Sequence, residues 1–93
     1  MLPDSLDRRV RISDDAVFRE LDGEAVILHL DSGMYFGLDP VGTRLWQLIA
    51  EHGHLQPVYE AAIEEFAVDP AVLERDLLDL VAALSDKGLV TLP

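Results

Sequence analysis

The chain has 93 residues, 49% of them apolar and 27% charged, which suits one domain with a modest core rather than a disordered segment. Its net charge of −11 repels a phosphate backbone, and the lack of cysteine excludes a disulfide framework and a thiolate metal site. No apolar run approaches the ~18 residues that a membrane span needs, and MLPDSLDRRVRISDD lacks the apolar stretch of a signal peptide, so a cytoplasmic location is expected.

Residues 1–8 are expected to be loosely ordered. In RRVRIS, Arg8, Arg9 and Arg11 alternate with Val10 and Ile12, as on a short half-exposed strand with solvated arginines. AVFREL (Ala16 to Leu21) and EAVILHL (Glu24 to Leu30) flank Asp22-Gly23. That dipeptide predicts a hairpin whose tight turn needs positive φ at both central residues. Both faces of the second run are largely apolar, as in a central strand. Asp31-Ser32-Gly33 predicts another turn and Met34 to Leu38 a third strand, giving an antiparallel meander with that strand at an edge.

Asp39 and Pro40 then predict an N-cap and first helical residue, with Val41, Leu45, Leu48 and Ile49 on one face. Trp46 flanks that face and reads as scaffold. Gly53 predicts the helix end. LQPVYEAAIEEF predicts a second helix with Tyr59, Ala62, Ile63 and Phe66 inward. Asp69-Pro70 repeats the start signal for a third helix reaching about Lys87 and stopping at Gly88, after which LVTL is an extended tail. Three strands followed by three helices, with no linker or repeat, predict a single α+β domain over residues 1–93.

Catalytic signals are sparse. His52 and His54 flank Gly53 with no third ligand nearby, and both read as surface histidines; His29 reads as structural. Glu64 and Glu65 point about 100° apart on a helix and cannot act as an acid/base pair. The serines lack a nucleophile-elbow context, and there is no glycine-rich phosphate loop. No enzyme activity, metal or cofactor is expected.

The third helix is more informative. Leu73, Leu77, Leu80 and Leu84 form a narrow stripe that reads as core. Leu78 and Val81 widen it towards Glu74 and Ser85, and that flank is either buried by the sheet or second helix, or lines a groove. The third strand would be the other wall. From Gly33 to Leu38 there is no charge or proline to block an incoming strand, so an extended peptide, or a second copy of the chain, could pair there.

GEAVILHLDSGMYFGLDPVGTRLWQLI and FAVDPAVLERDLLDLVAALSDKGLV resemble the PqqD-like family, the small leader-peptide domains known as RiPP recognition elements. The resemblance covers about residues 8–91 and rests on Gly33, Tyr35, Leu38, Gly42 and Trp46 with the closing KGLV. It implies a winged helix-turn-helix fold with a three-stranded antiparallel sheet followed by three helices. It also implies binding of the leader of a ribosomally made precursor, added as a strand to the third strand and lying against the third helix. On this chain the implied contacts are Met34, Tyr35, Phe36, Gly37 and Leu38, facing Glu74, Asp76, Leu77, Leu78, Val81 and Leu84. YFGLDPVG looks most like members serving lasso-peptide maturation, which hand the precursor to a separate leader peptidase preceding an asparagine-synthetase-like cyclase. The alternatives are a peptide chaperone for a radical enzyme in pyrroloquinoline quinone synthesis and a homodimerisation module. A winged helix also raises DNA binding, but residues 70–88 hold Arg75 and Lys87 against Glu74, Asp76, Asp79 and Asp86, and nucleic acid is not expected. A basic leader would be steered towards Glu74 or Asp76.

Overall fold

The computed structural model describes residues 5–22 and 24–93. In chain order it has β1 (Arg11–Ile12), β2 (Ala16–Leu21), β3 (Glu24–His29), β4 (Tyr35–Leu38), α1 (Pro40–His52), α2 (Leu55–Glu65), α3 (Pro70–Asp86) and β5 (Val90–Thr91). The three-stranded sheet runs β2-β3-β4, antiparallel throughout. Three strands then three helices, in this α+β order, are the winged helix-turn-helix arrangement anticipated from the sequence.

Local chemistry accounts for the boundaries. Asp22 takes φ 55 in the β2–β3 turn, as that turn requires, while Gly23 lies outside the described residues. The His29 N–H donates to the Met34 carbonyl at 2.8 Å, but the Met34 N–H turns to Ser32 Oγ, and the strand expected from Met34 begins one residue later. Asp39 caps α1 by accepting from the Gly42 N–H at 2.6 Å, and Asp69 caps α3 by accepting from Ala71 at 2.8 Å. Proline follows each cap, and Gly53 ends α1 at φ 65.

Packing puts one face of the sheet against the helices. Ala25 and Ile27 of β3 are buried, whereas Val26, which points the other way, is exposed. The central strand is therefore covered on one face, although both of its faces are apolar. Leu45, Leu48 and Ile49 of α1, Leu55 and Val58 of α2, and Leu77, Val81 and Leu84 of α3 complete the core. Trp46 is buried and stacks on Phe18 with ring centroids 6.4 Å apart. Arg44 of α1 donates twice to Glu65 of α2, at 2.7 and 3.0 Å.

The chain ends pair with each other. RRVRIS and the LVTL tail supply β1 and β5, with Arg11 opposite Thr91 and Ile12 opposite Val90. Upstream, the Val10 N–H donates to Gly53 and the Arg8 carbonyl accepts from Leu55, so this segment straps the α1–α2 turn. Of the stretch 1–8, residues 1–4 lie outside the described residues, and Arg8 is held by its backbone.

Candidate peptide-binding site

The site starts from the outer edge of β4. Among the described residues β4 pairs with β3 alone, and its other edge is open. Antiparallel ladders alternate bonded and non-bonded residue pairs. Since His29 bonds to Met34, the pairs Ile27–Phe36 and Ala25–Leu38 continue the bonded series. Tyr35 and Gly37 then turn their N–H and C=O groups outward. Met34 and Tyr35, beside this edge, stay 57% and 73% exposed.

The side chains of β4 alternate too. Phe36 and Leu38 face the helices: Leu38 is buried in the core, and Phe36 is half-buried at its margin. Phe36 forms one wall of a cavity of about 520 Å³ between β4, the start of α1, the α2–α3 loop and α3. Val41, Gly42 and Leu45 line it from α1, Phe66 and Val68 from the loop, and Val72, Leu73, Asp76, Asp79, Leu80 and Ala83 from α3. The lining is mostly apolar with carboxylates at Asp39, Asp76 and Asp79. Gly42, in the first turn of α1, faces the end of β4. A Cβ there would sit 3.1 Å from Asp39 Oδ1 and 3.3 Å from Leu38 Cδ2, so the absence of a side chain lets the strand end and helix start close up.

The flank of α3 that faces the cavity differs from the one expected. At 100° per residue, Val72, Asp76, Asp79 and Ala83 form a row on one side of the Leu73–Leu77–Leu84 stripe. Glu74, Leu78, Val81 and Ser85 lie on the other side. Val81, expected on the groove flank, is wholly buried with Leu77 and Leu84, and all three are core rather than lining. Leu78 is half-buried against the core, and Glu74 is exposed; neither lines the cavity. Leu80, expected in the core stripe, is the half-buried residue that borders the cavity. Of the α3 contacts implied by the resemblance, the cavity keeps Asp76; it adds Val72, Leu73, Asp79, Leu80 and Ala83. A signal for the added wall existed in Phe66, Val68 and Val72, three apolar residues crossing a loop and a helix start, where core stripes seldom run.

Two of the three histidines meet polar side chains. His29 Nδ1 lies 3.0 Å from Ser32 Oγ in the turn before β4, and His54 Nε2 lies 3.5 Å from Asp7. No group of three or more His, Cys, Asp or Glu among the described residues could hold a metal ion. No helix of the described residues is long and apolar enough to cross a membrane.

The chain is similar to two solved structures. One is TbiB1 in complex with the TbiA(beta) leader peptide, 44% identical, with a TM-score of 0.79, covering 86% of this chain and 93% of that one. The other is a lasso peptide synthetase B1 complexed with the leader peptide, 23% identical, with a TM-score of 0.79, covering 89% and 98%. At that identity the second supports the fold alone. No curated protein matches the chain. Residues 24–90, from the start of β3 to the start of β5, match the family described as Coenzyme PQQ synthesis protein D, and the chain belongs to this PqqD family.

Proposed function

We propose that this chain is a non-catalytic module that binds the leader region of a ribosomally made precursor peptide of the lasso type. The leader adds as a strand to the open edge of β4, with Tyr35 and Gly37 supplying backbone hydrogen bonds and Met34, Phe36 and Leu38 shaping the strand. Alternate leader side chains enter the cavity that Phe36 shares with α3. The bound leader is then presented to a separate leader peptidase in the cytoplasm. The observation that carries this reading is the open, uncharged edge of β4 beside an apolar cavity. The 44%-identical neighbour, which this chain matches over 93% of its length and which is complexed with a leader peptide, supports the same guest.

The test is fluorescence anisotropy with a labelled synthetic leader of the precursor encoded beside this gene. Saturable binding below tens of micromolar is expected, and no binding there overturns the proposal. Phe36→Ala and Val72→Asp should each weaken binding more than ~10-fold, because losing ~1.4 kcal/mol is enough for that. Val72 is exposed in the first turn of α3, where an acid suits the helix dipole, so that variant keeps its fold. The same open edge would serve a homodimer. Light scattering with and without the leader separates the cases: a monomer that takes one leader supports the proposal, and a dimer that the leader fails to dissociate opposes it.

A further inference from the structure

The acidic residues on the cavity's α3 wall carry information about the guest. Val72, Asp76, Asp79 and Ala83 follow an i, i+4, i+7, i+11 row, apolar at both ends and acidic in the middle. Helix chemistry explains neither acid. Asp76 and Asp79 are the seventh and tenth residues of α3, too far along to cap it or to profit from its N-terminal dipole. They stand one turn apart with like charge, which costs the free helix stability. Both are exposed, and neither has a hydrogen bond or ion pair among the described residues, although Arg75 is one turn from Asp79. The third carboxylate of the cavity, Asp39, is already engaged by the Gly42 N–H.

A cation held between Asp76 and Asp79 would relieve their repulsion. In a docked strand, side chains two positions apart point the same way, at ~6.6–6.8 Å spacing. Asp76 and Asp79 are separated by ~4.5 Å along the helix axis, so one cation can reach both. We propose that the docked segment carries a Lys or Arg two positions from the apolar side chain it seats in the cavity, and that Asp76 and Asp79 jointly receive it. An arginine fork suits two carboxylates better than an ammonium does. This rests on the leader-binding reading, and it makes the two aspartates specificity-determining residues of that site.

The experiment is a double-mutant cycle between the chain and the labelled synthetic leader. On the chain the changes are Asp76→Asn with Asp79→Asn; on the leader, each Lys or Arg is changed to Ala in turn. At 50 mM NaCl the double variant should bind at least ~10-fold more weakly. One basic-to-Ala peptide, two positions from an apolar residue whose own loss abolishes binding, should lose the same factor on the wild-type chain and nothing on the double variant. Glu74→Gln, on the far flank of α3, should leave the affinity within ~2-fold. Unfolding midpoints of the double variant should be unchanged or higher, since a repulsion is removed. If the leader binds and the cycle shows no coupling at any basic position, the inference is wrong while the leader-binding reading stands. If no leader binds the wild-type chain, the reading beneath it fails as well.

Discussion

Leu77 and Leu80 lie three residues apart on α3 and meet different surroundings. Leu77 is wholly buried in the core, and Leu80 borders the cavity, half-buried. Leu77→Ala should cost ~2–5 kcal/mol of stability, a large share of the ~5–15 kcal/mol that holds a small domain together. Leu80→Ala should cost clearly less and weaken leader binding instead. Urea unfolding read beside anisotropy checks this, and equal stability losses would contradict the assigned positions. Arg44 and Glu65 give a second residue-scale expectation. The side-chain hydrogen bonds from Arg44 hold the Glu65 carboxyl below the usual carboxylate range, against a smaller opposing effect of desolvation. A lowered folded value means that the pair's stabilisation is complete above the ordinary carboxylate range and is lost as pH falls through the lowered one. Both side chains are more than a third exposed, so the contribution is modest. Glu65→Gln should therefore lower the urea midpoint at pH 7, and the gap should narrow as pH falls below the ordinary carboxylate range; a gap that does not narrow would show that the carboxylate is not its source.

Among the elements, β4 is the one whose two edges have opposite duties. Its inner edge bonds to β3 through Phe36 and Leu38, and its outer edge presents Tyr35 and Gly37. Proline removes an N–H, so its effect depends on which edge it strikes. Gly37→Pro should spare the fold, since a Cβ there meets nothing within 4 Å, and weaken leader binding by ~2- to 10-fold, the worth of one hydrogen bond at ~0.5–1.5 kcal/mol. Phe36→Pro should break the β3 ladder and destabilise the domain itself. Circular dichroism melts with anisotropy distinguish these, and a destabilised Gly37→Pro would mean that the ladder phase is reversed. The meander, the Asp-Pro helix starts and the Gly53 stop were legible because each depends on a few adjacent residues. The β1–β5 pair was less so, because Ile12 and Val90 meet from opposite ends of the chain and neither short run signals the other. Which flank of α3 borders the cavity was left open for a related reason. A leucine stripe fixes which side of a helix points inward, but the choice between Leu80 and Val81 depends on where Phe66 and Val68 of the preceding loop come to rest. The open strand edge could thus be read from Met34 to Leu38 alone, whereas the helix wall of the cavity beside it required the fold.

For the whole molecule, charge sets how a guest arrives. The chain carries −11 in a body with extents of 35 × 32 × 19 Å. At physiological salt the Debye length is ~8 Å, so acids on the far side of such a body are screened from an approaching peptide. Steering near the cavity then falls chiefly to Asp39, Asp76 and Asp79, which line it. In dilute salt the whole charge acts, because the Debye length grows to ~30 Å at 0.01 M, comparable with the molecule itself. The same field disfavours nucleic acid on α3, where a DNA-reading winged helix would need basic residues. Leader association should accordingly be fast at low salt and slow down as salt is added, while dissociation, governed by contacts in the groove, changes much less. From 10 mM to 1 M NaCl, kon should fall by ~10-fold or more for a basic leader. The fall should shrink as lysines outside the docked strand are replaced by glutamine, without a matching change in koff. Stopped-flow measurements across that peptide series separate long-range steering from the local pairing at Asp76 and Asp79: steering scales with the peptide's net charge wherever it lies, and pairing depends on one position. A kon that ignores both salt and peptide charge would leave the acidic surface with no part in recruiting the leader.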